Sequence, residues 1–215
     1  MLIAGIDPGK AGAVAGLCVE TGQVHFLDMP ARGRGNDVDT DVVETTLLGW
    51  EAETGHAIDC VILEEQHAFP GQGSVSGWTF AVNYGALRDR IRSMQRHRAP
   101  GLPPLQLVEV GGRKWQKALG IVMPLAPKRP KAQARVSMDG LALTEDEEEK
   151  AKDEDAAALK EHRRLLAERK RGVKAEVKSK VRDWFPDAAV GNADGRADAL
   201  ALCRYGRLLI GERGV

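Results

Sequence analysis

The sequence predicts an α/β fold in which a mixed sheet of five strands is flanked by helices. Five short apolar runs supply the strands, and turns of a few residues join the first three, which is typical of an antiparallel meander. A stretch with helical periodicity separates the third run from the fourth. A helix between two strands favours their parallel pairing, so the sheet should begin antiparallel and continue parallel.

The first half of the chain supports this prediction element by element. Residues 2–7 form a nearly continuous apolar run, as expected for a buried strand, and residues 13–19 resume strand character after a turn that contains Pro and Gly. Residues 24–27 complete the meander. Residues 39–54 place apolar side chains at helical spacing, and the apolar, β-branched residues 58–63 predict the fourth strand.

The second half continues the alternation and then becomes highly charged. A helix with a basic face is predicted over residues 80–96, a fifth strand over 105–110 and a short helix over 112–119. Residues 144–184 predict a long charged helix with Gly172 as a candidate interruption, and a last helix follows from about residue 195 to 209.

Length and composition fit one domain with an insertion. The chain has 215 residues, and its charged residues, 29% of the total, are concentrated in the last third. We predict a single domain over residues 1–215 with a charged helical insertion at about 124–172. The 31 basic and 31 acidic residues cancel, so local charge clusters carry more information than the net charge.

Cysteine spacing and hydropathy indicate the compartment. Cys18, Cys60 and Cys203 are far apart and odd in number, which favours small core residues over a disulfide framework or a zinc site. We find no signal-peptide pattern and no apolar run as long as a membrane span. We therefore expect a cytoplasmic protein without membrane association.

Four carboxylates lie where the predicted elements can bring them together. Asp7 and Glu64 end apolar strands, and open α/β sheets bind ligands at the carboxyl ends of their strands. Asp194 and Asp198 are four residues apart and share one face of the last helix. Carboxylates suit hard divalent cations, and two such cations can run phosphodiester hydrolysis. The sequence thus predicts a metal-dependent nuclease with these four acids as catalytic residues and metal ligands.

Simpler roles remain open for several of these acids. Asp7 could cap the turn that follows it, and Glu65, beside Glu64, is most simply a solvated loop carboxylate. Asp194 could be the N-cap of its helix, where its side chain would accept an orphan amide. Asp198 is flanked by Ala and Leu and therefore needs a partner or a metal.

Polar, aromatic and basic residues near the acids are candidate DNA contacts. Aromatic side chains can stack on bases, and basic groups can bind phosphates, although a solvated helix face would explain the basic groups as well. Trp115 lies among basic residues and favours nucleic acid, whereas Trp78 is expected to fill core under the preceding loop. The predicted DNA-binding residues are His67, Phe69, Gln72, Ser74, Arg88, Arg113, Lys114 and Lys117.

Three sequence motifs contain the four acids. They are Gly-Ile-Asp-Pro-Gly at residues 5–9, Glu64 followed by His-Ala-Phe-Pro-Gly-Gln-Gly at 67–73, and Asp-Gly-Arg-Ala-Asp-Ala-Leu-Ala-Leu at 194–202. Together they resemble the RuvC family of Holliday junction resolvases, especially the variants carried by bacteriophages. The resemblance covers about residues 1–119 and 173–209. It departs from bacterial members in the spacing of the last two acids, which tends to be three there and is four here.

The resemblance implies both fold and activity. It implies an RNase H-like fold, two Mg²⁺ ions (or Mn²⁺ in their place) held by the four acids, and a homodimer that cleaves branched DNA such as a four-way junction. Such a protein would serve DNA recombination and repair, in the host cytoplasm if it is phage-encoded. The stretch at about 124–172 has no counterpart in the family and is a candidate for contacting DNA or the partner subunit.

Two other function classes remain open. Residues 5–10 also resemble the first phosphate loop of actin and sugar-kinase ATPases, but we find no second phosphate loop and no adenosine motif. A non-catalytic branched-DNA-binding protein is the other alternative, and the presence of all four acids argues against it.

Overall fold

The computed structural model describes most of the chain in two compact units. The described ranges are 1–33, 37–65, 74–130, 145–191 and 193–212. One unit combines Met1–Ile121 with Glu176–Val215, and the other is Val122–Ala175. Within the described ranges, none of the helices combines the length and apolar character that crossing a bilayer requires.

Five strands of the first unit form one mixed sheet. They are β1 (Leu2–Asp7), β2 (Ala13–Cys18), β3 (Val24–Asp28), β4 (Ile58–Glu65) and β5 (Gln106–Gly111). The strand order is β3-β2-β1-β4-β5. β2 pairs antiparallel with β1 and β3, whereas β4 pairs parallel with β1 and β5. The predicted mixed sheet, antiparallel at its start and parallel afterwards, is confirmed.

Five helices accompany the sheet. They are α1 (Thr40–Thr54), α2 (Ser74–Arg96), α3 (Gly112–Ala118), α4 (Glu145–Trp184) and α5 (Asp194–Glu212). The Asp39 carboxylate accepts the first amides of α1 at 3.2 and 3.3 Å, and Gly55 ends that helix with φ 68°. α4 runs through Gly172 without a break, because one glycine in a long helix costs only about 1 kcal/mol.

One face of the sheet builds the main core. Alternate residues of β1 (Leu2, Ala4 and Ile6) pack in one buried cluster with apolar residues of α1 and α2. From α1 come Val43, Leu47 and Trp50, and from α2 come Leu87, Ile91 and Met94. Because the side chains of a strand alternate, Ile3, Gly5 and Asp7 point to the opposite face.

α5 covers that opposite face at very short range. A Cβ at Gly5 would overlap backbone atoms of Ala199 and Cys203. A Cβ at Gly206 would lie 2.9 Å from the side chain of Ile3. The Cys203 thiol contacts the carbonyl oxygen of Ile3 at 3.5 Å. Such close packing needs small residues on both partners. It also fixes the direction of α5, whose amino end lies at the carboxyl end of β1.

An ion pair ties helices α1 and α2 to the start of β4. Arg98, which follows α2, donates to the Ile58 carbonyl oxygen at 2.7 Å and to Glu51 Oε1 at 3.1 Å. Glu51 in turn accepts the amide of Ile58 at 2.6 Å. The side chains of Arg98 and Glu51 are only 8% and 15% exposed, so this pair is part of the interior.

The second unit is polar and helical. Its part of α4 carries surface ion pairs at helical spacing, among them the two-point contact of Arg164 with Glu161 at 2.7 and 2.8 Å. Arg169 also donates to the carbonyl oxygen of Pro124 at 2.6 Å. Leu125 is almost fully exposed.

Candidate functional site

Asp7 ends β1 on the face that α5 covers. Its Oδ1 accepts the amide of Gly9 at 3.0 Å, so the carboxylate does cap the turn, as the simpler interpretation expected. This role is compatible with metal binding, because a carboxylate offers about four acceptor positions and one amide uses a single one. The hydrogen bond fixes the orientation of the carboxylate at the strand end.

Glu64 lies beside Asp7 on the same face. β1 and β4 are parallel and Ile6 pairs with Leu63, so the next residues of the two strands, Asp7 and Glu64, are neighbours. The indole of Trp115 donates to Glu64 Oε1 at 3.0 Å. A Cβ at Gly112 would lie 2.6 Å from the same oxygen, so a larger residue there would require the Glu64 carboxylate to shift. The start of α3 is thus built around the Glu64 side chain.

Asp194 and Asp198 reach the same end of the sheet on the first turns of α5. A Cβ at Gly195 would lie 2.6 Å from the Gly12 backbone, which places this turn directly against the loop that follows Asp7. Lys178 Nζ contacts Asp194 Oδ1 at 2.5 Å, an ion pair that the sequence did not predict. Asp198 is half-buried between the fully buried Ala197 and Ala199.

The arrangement favours binding of hard cations. Two strand ends and one helix end contribute carboxylates at the same end of the sheet. Every candidate donor in the set is a carboxylate oxygen, which is the donor that Mg²⁺ and Mn²⁺ prefer. The hydrogen bond from Trp115 to Glu64 is of the kind that orients carboxylate ligands in metal sites. The four acids therefore have the donor chemistry that a hard divalent cation prefers.

The predicted DNA-binding residues divide into three groups. His67, Phe69 and Gln72 lie outside the described residues, and Ser74 is the first residue of α2. Arg113, Lys114 and Lys117 are exposed on α3, the helix whose first turn surrounds Glu64. Arg88 lies 3.9 Å from Glu109, which also receives a 3.0 Å hydrogen bond from Arg92, so acidic partners compensate the basic face of α2 there.

Two tryptophans exchange the places that the sequence suggested for them. Trp115, expected to favour nucleic acid, is completely buried and serves Glu64 instead. Trp78, expected in the core, is 74% exposed on α2. The helical spacing of Trp115 with Leu119, both buried, was the signal that could have identified the inward face of α3.

A second group of potential ligands lies at the opposite end of the sheet. Ligand atoms of Cys18, Glu20 and His56 lie within 4.8 Å of one another. Here the ammonium group of Met1 contacts Glu20 Oε1 at 2.5 Å, and this hydrogen bond lowers the pKa of Glu20. This group combines a thiol, a carboxylate and an imidazole, so it differs in donor type from the all-carboxylate set at the strand ends.

Comparisons with known proteins support the fold. The sequence matches no protein-family model and no curated protein. The structure is similar to that of "T. thermophilus RuvC in complex with Holliday junction substrate", with a TM-score of 0.51, 14% identity and coverage of 100% of this chain and 97% of that one. It is also similar to "Thermus thermophilus RuvC structure", with a TM-score of 0.50, 15% identity and coverage of 99% and 97%. The chain has the α/β architecture of these structures, a five-stranded mixed sheet flanked by helices, which is the RNase H-like fold.

Proposed function

We propose that this chain is a metal-dependent, structure-selective endonuclease that resolves Holliday junctions and other branched DNA. The observation that carries the proposal is the meeting of two strand ends, at Asp7 and Glu64, with the first turns of α5. Two of the structurally similar chains are RuvC structures, one of them with a Holliday junction substrate. The likeness of fold and the acid set point to the same chemistry.

We assign the acids as ligands of two divalent cations, Mg²⁺ or Mn²⁺. Asp7, Glu64, Asp194 and Asp198 would hold these ions. Bound there, the ions would supply an activated water and a stabilised leaving oxygen for in-line hydrolysis. Trp115 holds Glu64 in place for this role, and the Asp7–Gly9 hydrogen bond orients the Asp7 carboxylate.

Basic residues next to the acids would bind the DNA backbone. Arg113, Lys114 and Lys117 are exposed on α3, whose first residue touches Glu64. Phosphate contacts of this kind fix the position of DNA without reading its sequence. Their removal should weaken binding and reduce its salt dependence. Ser74 and Arg88 of α2, together with His67, Phe69 and Gln72, complete the proposed DNA-binding set.

We propose that the active form is a homodimer, because resolution of a four-way junction requires cuts in two strands. Trp78 and Val82, four residues apart on α2, are 74% and 42% exposed and form one apolar surface. Trp78→Asp should convert the dimer to a monomer in sedimentation velocity, whereas Leu125→Asp, at an equally apolar but separate exposed position, should not. A monomeric wild-type protein would contradict this assignment.

We further propose that the second unit is an insertion in a single nuclease domain.

The central test is Asp7→Asn. This variant should bind a labelled four-way junction as the wild type does, but its cleavage with Mg²⁺ should fall by at least about 100-fold. Asp183→Asn, at an exposed position near the end of α4, is the matched control and should cleave normally. Linear duplex, flap and fork substrates in the same assay define the preferred branch. Undiminished cleavage by Asp7→Asn would refute the nuclease assignment.

A further inference from the structure

Arg196 lies between the two helical acids in sequence and makes a two-point ion pair with Asp28. Its Nε and Nη2 donate to the two carboxylate oxygens of Asp28 at 2.6 and 2.7 Å. Nη1 donates to the carbonyl oxygen of Ala189 at 3.2 Å, and the guanidinium lies 5.6 Å from the centre of the Phe26 ring. Four contacts thus hold one side chain, and the geometry of the pair is that of a bidentate arginine–carboxylate fork.

Asp28 stands in the same row of the sheet as Asp7. Ala13 of β2 pairs with Asp7 on one side and with Asp28 on the other. Residues directly opposite each other on neighbouring strands point to the same face, so both acids point toward α5. Two strand spacings separate them, which is about 10 Å. The ion pair therefore attaches α5 to the row that carries Asp7.

Helical geometry places Arg196 and the metal-binding acids on opposite flanks of α5. At about 100° per residue, Asp194 and Asp198 leave the helix about 40° apart, and Arg196 leaves it about 180° from their midpoint. The small residues that touch the sheet, Gly195 and Ala199, lie between these two directions. In the sheet, Arg196 reaches toward β3, so the helical geometry directs the acids to the opposite flank, toward β4.

We propose that Arg196 and Asp28 form a positioning pair for the metal site, an inference that rests on the proposed function. The pair prevents α5 from rolling on the sheet and so fixes where Asp194 and Asp198 stand relative to Asp7. It also occupies Asp28, a carboxylate in the same row and on the same face, so that Asp28 serves the arginine rather than a metal ion. Neither residue touches the reacting atoms.

The sign of the effect separates positioning from simple electrostatics. Loss of a positive charge near a cation site strengthens cation binding if charge alone matters. Loss of a positioning contact weakens it, by about 10-fold or more for a contact that orients metal ligands. Arg196→Gln should therefore bind Mn²⁺ at least about 10-fold more weakly, and Arg196→Lys should remain impaired because an ammonium cannot make the fork.

The experiment measures free Mn²⁺ by electron paramagnetic resonance with the full-length protein and no DNA, at a temperature where circular dichroism shows every variant folded. Asp28→Asn should weaken Mn²⁺ binding as much as Arg196→Gln does. Because both substitutions remove the same contact, the double variant should bind Mn²⁺ no more weakly than the weaker-binding of the two single variants. Arg164→Gln, which breaks the equally bidentate pair with Glu161, should bind Mn²⁺ as the wild type does.

Three results would contradict these assignments in different ways. Wild-type or tighter Mn²⁺ binding by Arg196→Gln, with weaker binding by Asp7→Asn, would overturn the positioning role and leave the proposed metal site intact. If Asp7→Asn also bound Mn²⁺ normally, the proposed site itself would be wrong. Additive losses in the double variant would show that the two residues act separately, which also overturns the inference.

Discussion

Replacing Gly195 by alanine should push the first turn of α5 away from the sheet. A Cβ there would lie 2.6 Å from two backbone carbon atoms of Gly12 and closer still to the carbonyl oxygen of Ala11. These atoms belong to the turn between β1 and β2, so they cannot rotate aside as the end of a flexible side chain can. Ordinary contact begins at 3.4 Å, and relief therefore requires a shift of at least about 0.8 Å.

The size of that shift sets two expectations. A metal site tolerates displacements of about 0.5 Å, so Mn²⁺ affinity should fall by about 10-fold or more. Overpacking costs about 1–3 kcal/mol, and alanine returns about 1 kcal/mol through its higher helix propensity. The net loss is about 0–2 kcal/mol, which lowers Tm by at most about 8 °C. Function should therefore suffer far more than stability.

Manganese titration and thermal unfolding of the same samples test this reasoning. Gly172→Ala is the matched control, because it makes the same change inside α4 where a Cβ would meet nothing within 4 Å. It should raise Tm slightly and leave Mn²⁺ affinity unchanged. If Gly195→Ala kept both the wild-type affinity and the wild-type Tm, the close approach of α5 to the turn would not determine where the acids stand.

Three further outcomes follow from contacts of the first unit. Trp115→Phe removes the hydrogen bond to Glu64 and should weaken Mn²⁺ binding about 10-fold in the same titration; unchanged affinity would contradict the orienting role. Arg98→Ala leaves Glu51 buried without its cation and should cost about 3–5 kcal/mol in urea unfolding, against less than about 1 kcal/mol if the pair behaved as a surface one. The hydrogen bond from Arg196 lowers the pKa of Asp28. The ion pair therefore stabilises the fold above about pH 4, and this stabilisation is lost as the pH falls through the lowered pKa. Asp28→Asn should accordingly be less stable than the wild type at pH 6, and the difference in Tm should shrink as the pH falls below about 4.

Local patterns predicted the sheet well. The strands are short, apolar and separated by clear turn residues, so each could be identified without knowledge of its neighbours. The start of α2 was placed at residue 80, whereas the helix begins at Ser74. Its first turns contain two serines and Gly77, which have low helix propensity, so the local sequence favoured a loop and the longer helix prevailed.

Burial within a helix was harder to predict than the helix itself. Trp115 and Trp78 both stand among polar residues, and short-range composition cannot show which one faces the sheet. The deciding partner of Trp115 is Glu64, 51 positions earlier in the chain. Such long-range pairs leave no trace in a local window, and the same holds for Arg98 and Glu51, which are 47 positions apart.

The candidate site shows the same difference between local patterns, which could be predicted, and long-range contacts, which could not. Strand-end placement was enough to select Asp7 and Glu64, and helical spacing was enough to group Asp194 with Asp198. Neither the Lys178 contact nor the arginine fork could be foreseen, because both depend on how α5 is seated on the sheet. The spacing of the acids in the sequence indicates which carboxylates can come together, whereas tertiary packing determines which contacts hold them in place.

The seating of α5 on β1 also has a consequence for the order of events during synthesis. Cys203 contacts Ile3 across 200 positions, so this packing is among the least local in the chain and should form late in folding. Asp7 and Glu64 leave the ribosome long before Asp194 and Asp198, and a nascent chain therefore carries only half of the acid set. A product truncated before α5 would expose the second face of its sheet and would lack the proposed activity. The proposed hydrolysis would thus become available only after α5 has been made and has packed on the sheet.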